Sequence, residues 1–206
     1  MSSRWSASAA LLLICGLAAT AARTASAHIP IPPKKGEIGK KTVNAAVADF
    51  TLVDQNGKPF RFAEARGKPM VATFIFTTCP DVCPLLSAKF AAIQRALEEK
   101  GVRNYLLLSI TTDPEIDNSA VLKNYAERYK ADHRRWLFLT GSREQLAKVW
   151  SDFGVNVKKV APGQVQHTAL TTVIDREGRR RFDYYTDKWQ ERSVLNDLES
   201  LAVRRR

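Results

Sequence analysis

Apolar and polar residues follow one another along this chain in two rhythms, and the switches between them mark out the elements. From Asp49 to Asp54 the pattern alternates with period two, breaks at Asn56-Gly57 and resumes at Pro59-Phe60-Arg61-Phe62. Asn-Gly tolerates the positive φ angles of a tight turn, so these runs predict a hairpin. Met70-Val71-Ala72-Thr73-Phe74-Ile75-Phe76 is apolar almost throughout and predicts a buried strand. Leu86, Phe90, Ile93 and Leu97 then recur at helical spacing. With Pro84 suited to a first turn and Gly101 to a stop, they predict a helix from about Pro84 to Lys100.

The same signals continue downstream. Tyr105 to Ile110 predicts a second buried strand, Asn118 caps a helix reaching about Lys130, and Trp136 to Thr140 is a short strand. Ser142 with Gln145 three residues on makes a capping box for a helix ending near Phe153. Val155 to Gln166 has no clear period and contains Pro162-Gly163, which predicts a loop, or a loop with a short strand. Thr168 to Asp175 and Arg180 to Tyr184 pair across Glu177-Gly178, and a closing helix runs from about Lys188 to Val203. Strands alternating with helices and ending in a hairpin predict an α/β domain with a mixed central sheet, helices on both faces and an N-terminal hairpin. In such sheets ligands sit at the C-terminal ends of parallel strands, where Thr77-Thr78-Cys79-Pro80-Asp81-Val82-Cys83-Pro84 falls.

Composition adds a boundary to this picture. The 206 residues, 45% hydrophobic and 26% charged, suit one globular domain. Arg4, the mostly apolar run from Trp5 to Ala22 and Ala25-Ser26-Ala27 read as a secretory signal over residues 1–27 with its cleavage site. The dense apolar part, Ala9 to Ala22, is shorter than the roughly 20 residues a spanning helix needs, which favours cleavage over an uncleaved membrane anchor. Ile14 is bulky where a lipidated Cys15 would want a small neighbour, so Cys15 belongs to the discarded segment. Residues 28–46, with Pro30, Pro32, Pro33, Gly36 and four lysines, read as a flexible leader, leaving 47–206 as the domain. The net charge of +11 would suit nucleic acid, but an exported, periplasmic chain seldom meets it. A solvated, membrane-facing or partner-steering surface is the expectation instead.

Cys79 and Cys83 then remain, in a compartment where disulfides persist. A bridge closing so small a loop constrains little of the unfolded chain, so the pair is expected to be chemical rather than structural. A helix N-terminus favours the thiolate, which is both nucleophile and metal ligand. Of the three histidines, His28 lies in the leader and His133 in the charged turn Asp132-His133-Arg134-Arg135. His167 sits at a strand entrance, and it reaches the cysteine loop if that strand lies near the Met70 strand. Two thiolates and an imidazole suit three-coordinate Cu(I) and accept Cu(II), whereas a closed zinc site usually takes a fourth protein ligand. Outside the signal the only methionine is Met70, so a thioether-rich copper site is not available.

Four stretches carry a resemblance: Thr78 to Pro84, Ser109 to Asp117, Trp136 to Gly141, and His167 ahead of Val173-Ile174-Asp175. Together they closely resemble the SCO/SenC family over about Val47 to Leu201, with Cys-Pro-Asp-Val-Cys-Pro as the specific motif. The resemblance implies a thioredoxin-like fold, copper as cargo, and help in building the binuclear copper site of cytochrome c oxidase. It implies Cys79, Cys83 and His167 as copper ligands, and the oxidase's copper-bearing subunit as partner. A thioredoxin-like reductant or another copper chaperone would be further partners. Asp113 matches a family aspartate near the site, with a supporting or docking role set against a plain turn-forming one. Three alternatives stand beside metal delivery: a thiol-disulfide oxidoreductase, a peroxidase, and a copper or redox sensor without transfer. His28, as a new N-terminus, offers an amine and an imidazole for Cu(II).

Overall fold

The computed structural model describes residues 39–203. Its centre is a six-stranded sheet whose innermost strands are those with the longest apolar runs. In chain order the elements are β1 (Gly39–Ala46), β2 (Thr51–Val53), β3 (Pro59–Arg61), α1 (Phe62–Ala65), β4 (Met70–Ile75), α2 (Val82–Glu99), β5 (Leu106–Thr111) and α3 (Ser119–Arg128). They continue as β6 (Trp136–Leu139), α4 (Arg143–Phe153), β7 (Val157–Ala161), β8 (Gln164–His167), β9 (Leu170–Ile174), β10 (Arg179–Tyr185) and α5 (Glu191–Val203). The sheet runs β1-β10-β9-β4-β5-β6. β4, β5 and β6 are parallel, and β9, β10 and β1 run antiparallel to their neighbours, so the expected mixed sheet is the one observed.

Period-two alternation splits β4 between two cores. Val71 and Ile75 pack with α2, α3 and α5 through Leu86, Phe90, Leu122, Tyr125, Val194 and Leu198. Met70, Ala72 and Phe74 face the other way, onto α4 and the β2–β3 hairpin through Leu146, Val149, Phe153, Leu52 and Phe60. With both faces covered, every residue of β4 and β5 is buried, which is why these strands read as unbroken apolar runs. The thioredoxin-like α/β architecture expected from the sequence is thus present, N-terminal hairpin included.

The predicted caps act as caps. The Asn118 side chain accepts from the Val121 N–H, and Ser142 with Gln145 forms a reciprocal capping box on α4. Gly57 turns the first hairpin at φ 75°.

Two expectations need correction. The leader drawn over 28–46 ends earlier, because Gly39–Ala46 is a strand on the β10 edge. Almost all of its residues are exposed, so it carries no apolar alternation to announce it, and its backbone pairing supplies the order. Residues 155–166 were expected as a loop or a loop with a short strand, and they hold a full hairpin, β7 against β8, turned at Pro162-Gly163. Residues 1–38, with the expected signal, Cys15 and His28, lie outside the described residues.

Candidate metal centre

β4 runs straight at the site. Its last residue, Ile75, is followed by Phe76 to Asp81 and then by α2, so the cysteine loop caps the C-terminal end of a fully buried parallel strand. β9 lies antiparallel beside β4, pairing Thr171 with Thr73. The start of β9 therefore stands next to the end of β4. His167, ending β8 just ahead of β9, is carried to the cysteines by that adjacency.

The result is a contact between two parts of the chain 84 residues apart: Cys83 Sγ lies 3.9 Å from His167 Nε2. His167 Nδ1 is 3.0 Å from the Thr168 carbonyl oxygen, which can only accept, so Nδ1 carries the hydrogen. In the neutral ring this leaves the lone pair on Nε2, facing the sulfur, the arrangement a metal-ligating imidazole needs. The Phe76 ring stands edge-on to the imidazole at 5.8 Å. Cys79, Cys83 and His167 are 4%, 0% and 1% exposed, so the site is a recess rather than a surface patch.

Both cysteines are free thiols, and they are unequal. The Cys79 thiol is pushed down to about 6, chiefly because the Cys83 thiol donates to it, with the backbone N–H groups of Cys83, Asp81 and Val82 helping against the cost of burial. The Cys83 N–H lies 3.4 Å from Cys79 Sγ. Burial pushes the Cys83 thiol well up, and the hydrogen bond and charge of Cys79 add to that. The pair thus holds one thiolate readily and gives up its second proton only to a strong competitor, which a thiophilic cation is.

Among the described residues, no three His, Cys, Asp or Glu side chains converge as a ready-made metal cluster. Cys79 meets Cys83, and Cys83 meets His167, but the three donors do not yet surround one point. Their chemistry still fits copper: two soft sulfurs and one imidazole of fixed tautomer, in a recess of low polarity.

Sequence reasoning missed what holds the cysteine loop. The Asp117 carboxylate is fully buried; it accepts from the Thr77 N–H at 3.1 Å, from the Thr77 hydroxyl at 2.5 Å and from the Thr111 hydroxyl at 2.6 Å. It ties the end of β5 to the start of the cysteine loop. Burial pushes its carboxyl up, against those hydrogen bonds. The signal available was an aspartate four residues after Asp113 in the same loop. Asp113 itself, buried at 2%, shapes the turn: its N–H donates to the Thr111 hydroxyl and its carbonyl accepts from Ile116 and Asp117. Its Oδ2 has no hydrogen-bond partner.

The β7–β8 hairpin leans on the same region. The Thr78 hydroxyl donates to the Gly163 carbonyl at 3.0 Å, and Glu115, beside Asp113, pairs with Lys159 on β7 and Arg143 on α4. At the hairpin's base, Asn156 and Thr168 exchange two hydrogen bonds.

The chain is similar to known proteins over all of its described residues. The family described as SCO1/SenC matches residues 39–203. A SCO2-like protein of Rickettsia felis is 31% identical over 169 residues, covering 79% of this chain and 80% of that protein. The solved structure of Bradyrhizobium japonicum ScoI with copper bound is 32% identical, covers 76% of this chain and 99% of that one, and superposes with a TM-score of 0.67. BsSco, described as a Sco-family cytochrome c oxidase assembly protein with a disulfide switch, is 27% identical, covers 80% of this chain and 98% of its own, and gives a TM-score of 0.71. A buried cysteine pair at the end of β4, a histidine brought against it by β9, and a match spanning every described residue lead to one conclusion: the chain belongs to the SCO1/SenC family.

Proposed function

We propose that this chain is an exported copper metallochaperone. It holds the ion between Cys79, Cys83 and His167 and gives it up during assembly of the binuclear copper site of cytochrome c oxidase, in the periplasm. The observation that carries this reading is the approach of His167 Nε2 to Cys83 Sγ at 3.9 Å, with the Thr168 carbonyl fixing the tautomer. Thiol-disulfide exchange through Cys79, whose thiol is already pushed down to about 6 by Cys83, does not require an imidazole so placed. The copper-bound relative and the oxidase-assembly relative supply the cargo and the setting.

Capture draws on the unequal thiols. Cys79 offers a thiolate first, Cys83 releases its proton as the cation arrives, and the Nε2 lone pair closes the third side. Transfer is ligand exchange with the oxidase's copper-bearing subunit, without change in the ion's charge. Because a closed disulfide supplies no thiolate pair, a thioredoxin-like reductant is a necessary partner in an oxidising compartment. Another copper chaperone is the natural source of cargo. Among the described residues no helix is long and apolar enough to cross a membrane.

The test is copper stoichiometry on the reduced protein. About one ion per chain is expected for a closed three-donor site, with loss of tight binding on changing any one of Cys79, Cys83 or His167 to alanine. Undiminished tight binding by His167→Ala would refute the three-donor site.

A second reading, a thiol-disulfide oxidoreductase acting on the oxidase's cysteines, is favoured by one observation. A low-pKa Cys79 beside a buried, high-pKa Cys83 is the division of labour between attacking and resolving thiols. That reading prevails if cells carrying His167→Ala assemble the oxidase normally while cells carrying Cys79→Ser do not.

A further inference from the structure

A groove lies at the same end of the sheet as the copper recess and shares none of its donors. β10 ends there at Tyr185, opposite Leu170 at the start of β9, and the Thr186 N–H donates to the Ala169 carbonyl at 2.9 Å. Ala169 is two residues past His167. The segment that leads from the end of β10 into α5 lines the groove together with Gly39 and Lys40 of β1, and its walls are mostly apolar, with Tyr184, Tyr185 and Trp189 among them. Its volume of about 470 Å3 falls inside the roughly 300–1,000 Å3 of ligand-binding clefts.

The groove is held in shape and is short of one partner. Thr186 turns at φ 68°, a left-handed backbone uncommon for a residue with a side chain, and its hydroxyl accepts from the Lys188 N–H at 3.3 Å. Lys89 clamps Trp189: its ammonium stands 4.9 Å from the ring centre and donates to the Trp189 carbonyl at 2.7 Å. Trp189 is 7% exposed, and its indole N–H is buried without an acceptor among the described residues. A buried donor left unpaired is costly, and an occupant that brings a carbonyl oxygen relieves that cost. Charge does not select the occupant, because Lys40 is paired with Asp197 and Lys188 follows Asp187 directly. Aromatic walls and an indole donor suit a proline-rich segment in the polyproline II form. Its rings lie on aromatic faces, and its carbonyls, used by no internal hydrogen bond, accept.

We propose that this groove seats the chain's own run Pro30-Ile31-Pro32-Pro33, with Trp189 Nε1 donating to one of its carbonyls. Position selects this occupant. Gly39, which lines the groove, is also where β1 starts, so the run is tethered at the groove itself. Five residues, 34–38, separate Pro33 from Gly39, within the 2–6 of ordinary connections, and Gly36 among them suits a turn back. A tether this short gives an effective concentration of millimolar order, so even a weak contact is populated. Ile29, Ile31 and Pro32 each precede a proline, which biases them to extended backbone and lowers the entropy lost on docking. The inference does not depend on copper delivery. Seated there, the leader is fastened at the copper end of the sheet, beside the segment that follows His167.

The test follows the Trp189 indole N–H by nitrogen-15 NMR in the chain from His28 onward, with and without the triple substitution Pro30→Ala/Pro32→Ala/Pro33→Ala. The triple variant changes none of the described residues, so its folding and copper loading should match the wild type. The Trp189 resonance should differ between the two proteins, and its N–H should exchange with water about tenfold more slowly in the wild type. A synthetic peptide of residues 28–38, added to the triple variant, should return the resonance to its wild-type position at low and high salt alike. Trp189→Phe, made in the triple variant, keeps a ring and removes the donor, and should weaken binding of that peptide about five- to tenfold. The same resonance and exchange rate in wild type and triple variant would overturn the proposal. A wild-type resonance that moves to the triple-variant position on dilution would seat the leader of a second copy in the groove and overturn it as well. Peptide binding lost at high salt would mean that charge selects the occupant, and would overturn the proline reading.

Discussion

The cysteine side and the histidine side of the site are held in contrasting ways. Cys79 and Cys83 follow a strand with every residue buried, sit within a core cluster, and are anchored through Thr77 to the buried Asp117. His167 ends a hairpin whose first strand alternates between half-buried and exposed, whose second strand buries only Val165 and His167, and whose outer ties are the Lys159–Glu115 ion pair and a single Thr78 hydrogen bond. A platform with many buried contacts opens only with the whole fold, whereas an element held by few opens locally at much lower cost. On the copper-delivery reading proposed above, the contrast gives the two sides different tasks: the sulfurs would define the site, and the imidazole would close and release it.

The largest effect expected from this contrast is in the thiols. In the metal-free reduced protein, thiolate absorbance in the ultraviolet should rise for one sulfur with a midpoint near the Cys79 value of about 6, against an ordinary 9.0, while Cys83 stays protonated to well above the ordinary range. The Cys79 thiolate is present above that midpoint and lost as pH falls through it, so copper capture should weaken below about pH 6. Two thiols titrating together near the ordinary value would erase the inequality.

Next in size is Asp117→Ala. It strands the Thr77 N–H and both threonine hydroxyls, and should cost about 2–3 kcal/mol of stability by chemical denaturation. A loss under half a kilocalorie would mean the platform does not depend on this anchor. On the hairpin side, Gly163→Ala forces a side chain onto φ 70° with its Cβ 3.3 Å from Ile116 Cδ1. About 1 kcal/mol is expected, together with faster copper release, because the strain falls on the element carrying His167. Unchanged release would separate the hairpin turn from the histidine. Smallest is Glu115→Gln, which removes exposed ion pairs; competition titrations should show slightly weaker copper binding at low salt and none of that difference at high salt.

The same contrast explains what the sequence disclosed. β4, the cysteine loop and α2 were legible because each was written in local chemistry: an unbroken apolar run, a Cys-Pro-Asp-Val-Cys-Pro motif, and Leu86, Phe90, Ile93 and Leu97 at helical spacing. Asn118 and Ser142 announced their helices for the same reason. β1 and the β7–β8 hairpin were not legible, since their order comes from backbone pairing and contacts distant in sequence rather than from an apolar face. His167 was singled out by its place before a strand, but its meeting with Cys83 required the β4–β9 pairing, which no local pattern states. Asp117 was passed over for Asp113 because both sit in one turn, and only the fold shows which carboxylate reaches Thr77.

The central claim is that one copper ion joins the two sides. X-ray absorption at the copper edge of the Cu(I)-loaded, reduced protein tests it most directly. The account predicts two sulfur donors and one imidazole nitrogen, with the nitrogen signal gone in His167→Ala and both sulfurs kept. An identical spectrum from wild type and His167→Ala would contradict it.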